Sequence, residues 1–201
     1  SSAASDVYKR QELLKGDFGI CPEPSNSVLM PKLCGILRGT ITYTGTAGHT
    51  ALLYEGKTCI QKACDAIEAL YQLNSQLIQR PVADNVPPPH LSIAVINGGT
   101  AANVFPSKTT FWFDRRLIPG ENHDQALKEI TDVLDQLKDK DASYEYQINV
   151  TSRRPLLDVD FNDPCVELIK RSYREIMGKD VKVAVGAGAV SYTHLTLPTI
   201  R

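Results

Sequence analysis

The order of the secondary-structure patterns constrains the fold of this chain more than any other feature of its sequence. Apolar residues recur every three or four positions over 57–79 and again after Asn122, which predicts two amphipathic helices. Alternating polar and apolar residues predict four strands, over 37–45, 91–97, 109–117 and 143–151. The resulting order, β-α-β-β-α-β, is that of the split βαβ, ferredoxin-like arrangement. It predicts a four-stranded antiparallel sheet with two helices on one face, and an open second face for a partner or an active site.

The residues on either side of this unit follow another pattern. Three prolines interrupt 12–36. A third helix is predicted from the Asp163 cap to Gly178, and the apolar strand 181–185 follows it. The fold class is therefore α/β, with an α+β insert. We expect a complete small domain over 37–152, inserted into a larger domain of which 12–36 and 153–189 are parts.

The two ends of the chain are explained by one DNA sequence. A DNA adapter that encodes Ser1 to Gln11 also encodes Val190 to Thr199 in the third frame of its reverse complement. We therefore interpret 1–11 and 190–201 as adapter-derived, non-native tails, and exclude them from the fold. His194 lies in such a tail and is not a catalytic candidate.

Composition excludes several classes of protein. Twenty-two basic and 23 acidic residues give a net charge of −1, without the basic excess of a nucleic-acid-binding protein. No apolar run approaches the length of a membrane span. The five irregularly spaced cysteines form neither a disulfide framework nor a zinc knuckle. Cys59 and Cys64 diverge around a helix and cannot bind one metal together. We interpret all five as mostly buried apolar residues of a reducing compartment, which favours a cytoplasmic protein.

Glu23 and His49 stand in unusual surroundings. Glu23 lies between two prolines, which fix the backbone and suit a preorganised metal ligand, although the motif alone favours a plain glutamate in a surface turn. His49 follows small residues at the end of a strand, where a ligand can approach the backbone closely. It could donate to a developing oxyanion or shuttle a proton, or it could be a loop histidine without a role.

Asn103 and Arg116 are candidates for binding a substrate. Asn103 follows a Gly-Gly turn that lacks the spacing of a dinucleotide site, and it could bind a carboxylate or carbonyl or serve the turn alone. By alternation, Arg116 shares a sheet face with Asp114 and Trp112. A guanidinium held by a carboxylate beside an aromatic ring is a suitable carboxylate receptor, and a surface ion pair is the alternative.

Taken in order, these clusters resemble one family. The runs EPS, G-x-x-GH-T, GG-x-x-x-NVFP and FDRRLIPGE, with a helix between the second and third, are similar to the zinc amidohydrolase family of acetylornithine deacetylase, succinyl-diaminopimelate desuccinylase, aminoacylase and bacterial glutamate carboxypeptidase. The resemblance covers essentially all of 12–189. It implies that 37–152 is the lid and dimerisation domain and that the flanks belong to an α/β catalytic domain with two zinc ions.

The resemblance also implies roles for single residues. Glu23 corresponds to a zinc ligand, and cobalt or manganese are alternative metals. His49 corresponds to the lid histidine that reaches across a homodimer to polarise the scissile carbonyl. Asn103 and Arg116 correspond to residues that bind the substrate and its carboxylate. The family's other metal ligands and its general-base glutamate have no counterpart in this sequence.

Two functions follow as expectations. The first is a fragment of a metal-dependent amidohydrolase that cleaves N-acyl amino acids or small peptides, incomplete and inactive by itself. The alternative is a stand-alone ferredoxin-like binding or dimerisation module without catalysis. Neither reading involves a nucleic acid or a membrane.

Overall fold

A computed structural model describes residues 18–20 and 25–186 of the chain. Glu23 and the two tails that we interpret as adapter-derived lie outside the described residues. The helices are α1 (Cys59–Ile78), α2 (His123–Lys140) and α3 (Pro164–Met177), and a 3₁₀ turn covers Ala142–Tyr144. The strands are β1 (Val28–Leu33), β2 (Gly35–Thr44), β3 (Gly48–His49), β4 (His90–Gly98), β5 (Val104–Phe105), β6 (Lys108–Leu117), β7 (Tyr146–Arg154), β8 (Leu157–Asp158) and β9 (Lys182–Gly186).

The central sheet has the predicted arrangement. Its order is β4-β6-β2-β7, and all three neighbouring pairs are antiparallel. Strands β2 and β6 pair along their whole length, from Gly35 opposite Leu117 to Thr44 opposite Lys108. The first strand of the unit begins at Gly35 and the last ends at Arg154, so the paired strands extend two residues beyond each end of the range 37–152.

The two helices of this unit cover one face of the sheet. Alternate residues of β2 and β6, among them Leu37, Ile41, Phe111 and Phe113, are buried against α1 and α2. Gly39 lies among them because a Cβ at this position would come within 2.7 Å of the Phe113 ring. The opposite face of the sheet carries the polar residues of the same strands, as the alternation predicts.

Side chains cap the starts of α1 and α2, and a glycine ends α3. The Thr58 hydroxyl accepts from the Gln61 N–H, and the Gln61 side chain accepts from the Thr58 N–H, which completes a capping box at α1. The Asn122 side chain accepts from the Gln125 N–H at α2, 2.8 Å away. At the end of α3, Gly178 adopts a φ of 66°, in the left-handed region that favours glycine.

Three details differ from the sequence-based expectations. The last strand of the sheet begins at Tyr146 rather than 143, because the 3₁₀ turn occupies the preceding residues. Ile60 and Tyr71 belong to the apolar periodicity of 57–79, which predicts that they are buried, yet they are 39% and 44% exposed, whereas Ala66 and Leu73 are buried. Cys64 is exposed as well, so the expectation of mostly buried cysteines is wrong for this residue.

The flanking residues form a second, three-stranded sheet. Strand β1 pairs in parallel with β9 and antiparallel with β8, and the Cys34 N–H donates to the Gly186 carbonyl across 2.9 Å. The segments on the two sides of the inserted unit therefore pair with each other, as two parts of one larger domain would. In the described part of the chain, no helix is both long and apolar enough to cross a bilayer.

Candidate functional site

His49 lies at the end of the central sheet that is farther from the second, three-stranded sheet. It ends β3, where its backbone pairs with Val104 of β5. A turn then follows, in which the Leu52 N–H donates to the His49 carbonyl at 3.0 Å. The Thr50 N–H donates to the Asn103 carbonyl at 2.9 Å and joins the two segments again. Residues 54 positions apart are thus fixed side by side.

Both nitrogens of the His49 ring have a neighbour. The Ala51 N–H donates to Nδ1 across 3.1 Å. The Asn103 amide nitrogen lies 3.4 Å from Nε2. The two residues that the sequence offered as separate candidates are therefore one cluster, on an exposed loop at the tip of the unit.

Aromatic packing and side-chain hydrogen bonds hold this loop on the sheet. The rings of Tyr54 and Phe105 meet edge to face, 5.0 Å between their centres. The Tyr54 hydroxyl accepts from the Thr46 N–H at 3.2 Å, before the histidine. The Cys59 thiol donates to the Pro106 carbonyl at 3.0 Å, beside Phe105. The loop is thus anchored before and after His49, which preorganises the imidazole.

Arg116 lies on the open face of the sheet, as predicted. Its Nε donates to Asp114 Oδ1 across 2.8 Å, and Asp114 also forms an ion pair with Arg38 on the neighbouring strand. The Arg116 side chain is 26% exposed, and Trp112 lies on the same face. Two guanidinium groups around one carboxylate leave a net positive charge there, which suits an anionic ligand.

A buried ion network, which was not predicted from the sequence, lies beneath Arg116. Arg115 is fully buried, and its guanidinium contacts Glu121 at 2.7 and 3.2 Å and Glu129 at 3.4 Å. Arg80 contacts the same two carboxylates, and Arg115 also donates to the Arg116 carbonyl. The alternation that places Arg116 on the open face puts Arg115 on the buried face, so the signal was present in the strand pattern.

Cys34 lies near Arg116 but lacks the properties of a nucleophile. Burial raises the pKa of its thiol, and the opposing charge of Arg116 does not compensate. A buried thiol with a raised pKa remains protonated at neutral pH, and the thiolate is the reactive form.

The structure separates the predicted residues into two groups. Lys108 and Arg116 are eight positions apart on β6, a length of about 27 Å at about 3.4 Å per residue. His49 and Asn103 lie beyond the Lys108 end, whereas Arg116 pairs with Ile36 close to the second sheet. Among residues 18–20 and 25–186, no three His, Cys, Asp or Glu side chains cluster as a metal site would require. These residues alone therefore do not fit the two-zinc site that the resemblance implies.

Comparison with protein families and curated proteins gives one consistent result. Residues 32–142 match the family model described as the peptidase dimerisation domain. Acetylornithine deacetylase of Edwardsiella ictaluri is 29% identical over 138 residues, 68% of this chain and 35% of the relative. A putative succinyl-diaminopimelate desuccinylase of Mycobacterium tuberculosis is 28% identical over 142 residues, 68% of this chain and 39% of the relative. The chain thus spans little more than a third of these curated relatives.

Solved structures share the fold of this chain. Aminopeptidase PepT of Bacillus cereus superposes with a TM-score of 0.70 at 16% identity, covering 99% of this chain and 51% of that one. A metallo-carboxypeptidase of the M20 family from Sulfolobus solfataricus superposes with a TM-score of 0.69 at 12% identity, covering 97% and 56%. Both the central unit and its flanks therefore occur together in larger proteins of known structure.

Proposed function

The chain belongs to the family of the peptidase dimerisation domain, and from this premise we propose that it is part of a metal-dependent amidohydrolase that cleaves the amide bond of N-acyl amino acids or small peptides. The observation that carries the proposal is the His49–Asn103 cluster. Two nitrogen atoms with hydrogen-bonding capacity lie 3.4 Å apart on a preorganised, exposed loop. Such a pair suits the oxygen of a scissile carbonyl, on which negative charge develops during hydrolysis.

Arg116 is the proposed receptor for the free carboxylate of the substrate. Asp114 holds Nε and so fixes the plane of the guanidinium. A planar, fixed guanidinium binds a carboxylate through two parallel hydrogen bonds, which a lysine cannot reproduce. An Arg116→Lys variant of the full-length protein should therefore have a strongly raised KM for a substrate with a free carboxylate, and a smaller change for the amidated substrate. Equal losses on both substrates would contradict this role.

We propose that one active site takes these groups from two chains. His49 and Arg116 of one chain lie more than about 27 Å apart along the sheet, far beyond the length of an N-acyl amino acid. They cannot contact the same small substrate. Arg116 lies close to the second sheet of its own chain, whereas His49 lies at the distal tip. This separation supports the proposal that His49 acts in the site of a partner chain.

An exposed surface on the lid supports the homodimer. Ile60, Tyr71 and Ile78 recur along the outer side of α1 and are each more than a third exposed. Strand β4 is an edge strand, and its residues Val95 and Ile96 are exposed as well. The Tyr71 hydroxyl donates to the Ile93 carbonyl of β4, so the helix and the edge strand adjoin. We propose that this surface pairs with its own copy.

Glu23 is the proposed metal ligand, and zinc is the proposed metal, with cobalt or manganese as alternatives. Zinc, cobalt and manganese ions all bind carboxylate oxygen as a ligand, and bound zinc activates water for attack on a carbonyl. Replacement of Glu23 with alanine in the full-length protein should remove one metal ion and nearly all activity. Full zinc content in that variant would contradict the assignment.

Mixing inactive variants of the full-length protein tests the division between chains. His49→Ala and Glu23→Ala homodimers should each be nearly inactive, and a mixed dimer should contain one complete site. After subunit exchange at equal amounts, half of the dimers are mixed and each has one of two sites, so activity should return to roughly a quarter of the wild-type value.

Mixing the His49→Ala and Arg116→Ala variants shows whether Arg116 acts in the active site of its own chain or in the site that the His49 of its chain enters. If Arg116 acts in the site of its own chain, this mixture also recovers activity, because one site combines an intact Arg116 with the partner's intact histidine. If Arg116 acts together with His49, both sites remain defective and no activity returns. Subunit exchange, shown independently by mass spectrometry of labelled chains, is the control for both mixtures.

A further inference from the structure

The hydrogen bonds around His49 determine which ring nitrogen carries the proton. In a neutral imidazole, one nitrogen is a donor and the other an acceptor. Ala51 offers an N–H to Nδ1 at 3.1 Å, and Asn103 places its amide nitrogen 3.4 Å from Nε2. If both nitrogens accepted, the ring would carry no proton at all. Only one of the two contacts can therefore be an N–H donated to the ring.

The backbone contact prevails over the side-chain contact for a physical reason. The direction of the Ala51 N–H is fixed by its peptide plane, and the turn from His49 to Leu52 holds that plane. The Asn103 amide can rotate by 180° and present its oxygen instead, at no cost in shape. The shorter distance also favours Ala51, because 3.4 Å is long for a hydrogen bond between nitrogen atoms.

We propose that the Ala51 N–H holds His49 as the neutral tautomer protonated at Nε2, so that the ring presents an N–H donor at the tip of the lid. Ala51 is then a positioning residue that acts through its backbone alone. This inference deepens the proposed function and rests on it for its catalytic meaning. The tautomer itself is a property of the folded chain and is measurable without any activity.

The tautomer has a consequence for Asn103. With the proton at Nε2, the Asn103 oxygen accepts from the ring when no ligand is bound, and its NH₂ group points away. When an acceptor oxygen approaches, the Asn103 amide rotates back to the orientation in which its nitrogen lies 3.4 Å from Nε2. Nε2–H and the Asn103 NH₂ can then both donate to that oxygen. The pair then forms a two-donor site for one oxygen, the arrangement that stabilises an oxyanion.

Nitrogen-15 NMR of the chain itself tests the proposal. The protonated and unprotonated ring nitrogens of histidine have well-separated chemical shifts, so the spectrum reports the tautomer directly. We expect His49 to be protonated at Nε2, with a coupling across the hydrogen bond between Ala51 N and His49 Nδ1. A proton at Nδ1, or an even mixture of tautomers, would overturn the proposal.

Two other histidines are internal references in the same spectrum. His90 Nδ1 lies 3.3 Å from the Pro88 carbonyl, which only accepts, so this ring should be protonated at Nδ1. His123 Nε2 lies 2.8 Å from the Arg154 carbonyl, so that ring should be protonated at Nε2. Single His→Gln variants assign the signals.

Three variants separate the influence of Ala51 from that of Asn103. Ala51→Gly keeps the N–H and should keep the tautomer, whereas Ala51→Pro removes the N–H and should populate both tautomers. Asn103→Leu removes the side-chain contact and should leave the Nε2–H tautomer unchanged. A shift of the proton to Nδ1 or to a mixture in Asn103→Leu would assign control to Asn103 and refute the proposal.

The Ala51→Pro variant requires a control for the structure of the loop, and a second way to remove the Ala51 N–H in case the loop is disrupted. Slow hydrogen exchange of the Thr50 N–H, which donates to Asn103, reports that the two segments remain joined. If that protection is lost, replacement of the Ala51 amide by an ester removes only the N–H and decides the question. Failure of the full-length protein to hydrolyse amides would refute the proposed function and leave the tautomer result standing.

Discussion

Replacement of Glu121 with alanine should destabilise the protein more than any change to a surface ion pair. Glu121 accepts from both terminal nitrogens of Arg115, at 2.7 and 3.2 Å, and from the Ile118 N–H at 3.0 Å. The Arg115 side chain is only 1% exposed, so water cannot replace the lost carboxylate. Breaking a buried ion pair on one side costs about 3–5 kcal/mol, because the remaining charge stays buried without compensation.

Two neighbouring contacts determine the size of the effect. The unpaired Ile118 N–H adds about 1 kcal/mol to the loss. Glu129, at 3.4 Å from Arg115, retains part of the compensation. We therefore expect a decrease of about 4 kcal/mol in the free energy of unfolding. Arg115→Met should cost less, since it leaves a carboxylate that Arg80 still contacts at 3.2 Å.

Urea unfolding monitored by fluorescence measures this difference. Trp112 is the only tryptophan of the chain and lies on the same sheet as Arg115. The matched control is Asp124→Ala, which removes an ion pair with Arg153 whose carboxylate side chain is 85% exposed, and should cost under about 1 kcal/mol. Addition of salt should weaken the control pair more than the buried network. A Glu121→Ala loss no larger than that of Asp124→Ala would refute the reasoning.

Three further changes have expected outcomes in the same unfolding assay. Gly39→Ala should cost roughly 1–3 kcal/mol, because its Cβ would lie 2.5 Å from the Asn149 carbonyl, whereas Gly48→Ala, with its nearest neighbour at 3.9 Å, should be close to neutral. Thr58→Ala should cost about 1 kcal/mol through loss of the α1 cap, and an unchanged midpoint would contradict this. Asp65→Asn should reduce the loss of stability on acidification below about pH 4. Hydrogen bonds, first from Lys57 and then from Tyr144, lower the pKa of Asp65 below its ordinary value of 3.8, so the wild-type protein loses this stabilisation as the pH falls through the folded pKa. Equal acid sensitivity of the two proteins would contradict the assignment.

Periodicity predicted the central sheet and its helices because each of these elements buries one face. Strands β1, β3, β5 and β8 were not predicted, for two different reasons. Strand β1 contains Pro31, which lies where its pairing with β9 shifts register between Leu29 and Lys32, and a proline within a run argues against a strand. Strands β3, β5 and β8 have two residues each, too few to show any alternation.

The candidate site was predictable residue by residue but not as an arrangement. Local motifs indicated His49 and Asn103 separately, and these two residues, 54 positions apart, are in contact only because β3 pairs with β5. The role of Ala51 has no signature in the sequence, since it depends on a backbone N–H that every residue except proline possesses. The distance between His49 and Arg116 likewise required the strand register.

Arg116 and the His49–Asn103 cluster lie at opposite ends of the central sheet, so a movement of the lid would displace them differently. The chain enters the lid at Gly35 and leaves it at Arg154, and His123 Nε2 lies within 3.2 Å of the carbonyls of Ile36 and Arg154 at this crossing. Arg116 pairs with Ile36 next to this point of entry and exit, so a rotation of the lid about that point scarcely displaces Arg116. A rotation of about 10° would carry an atom about 27 Å away through about 5 Å. Lid rotation would therefore change the reach of His49 and Asn103 while Arg116, the proposed carboxylate receptor, stays in place. Under the proposed roles, the substrate would be held first and polarised afterwards.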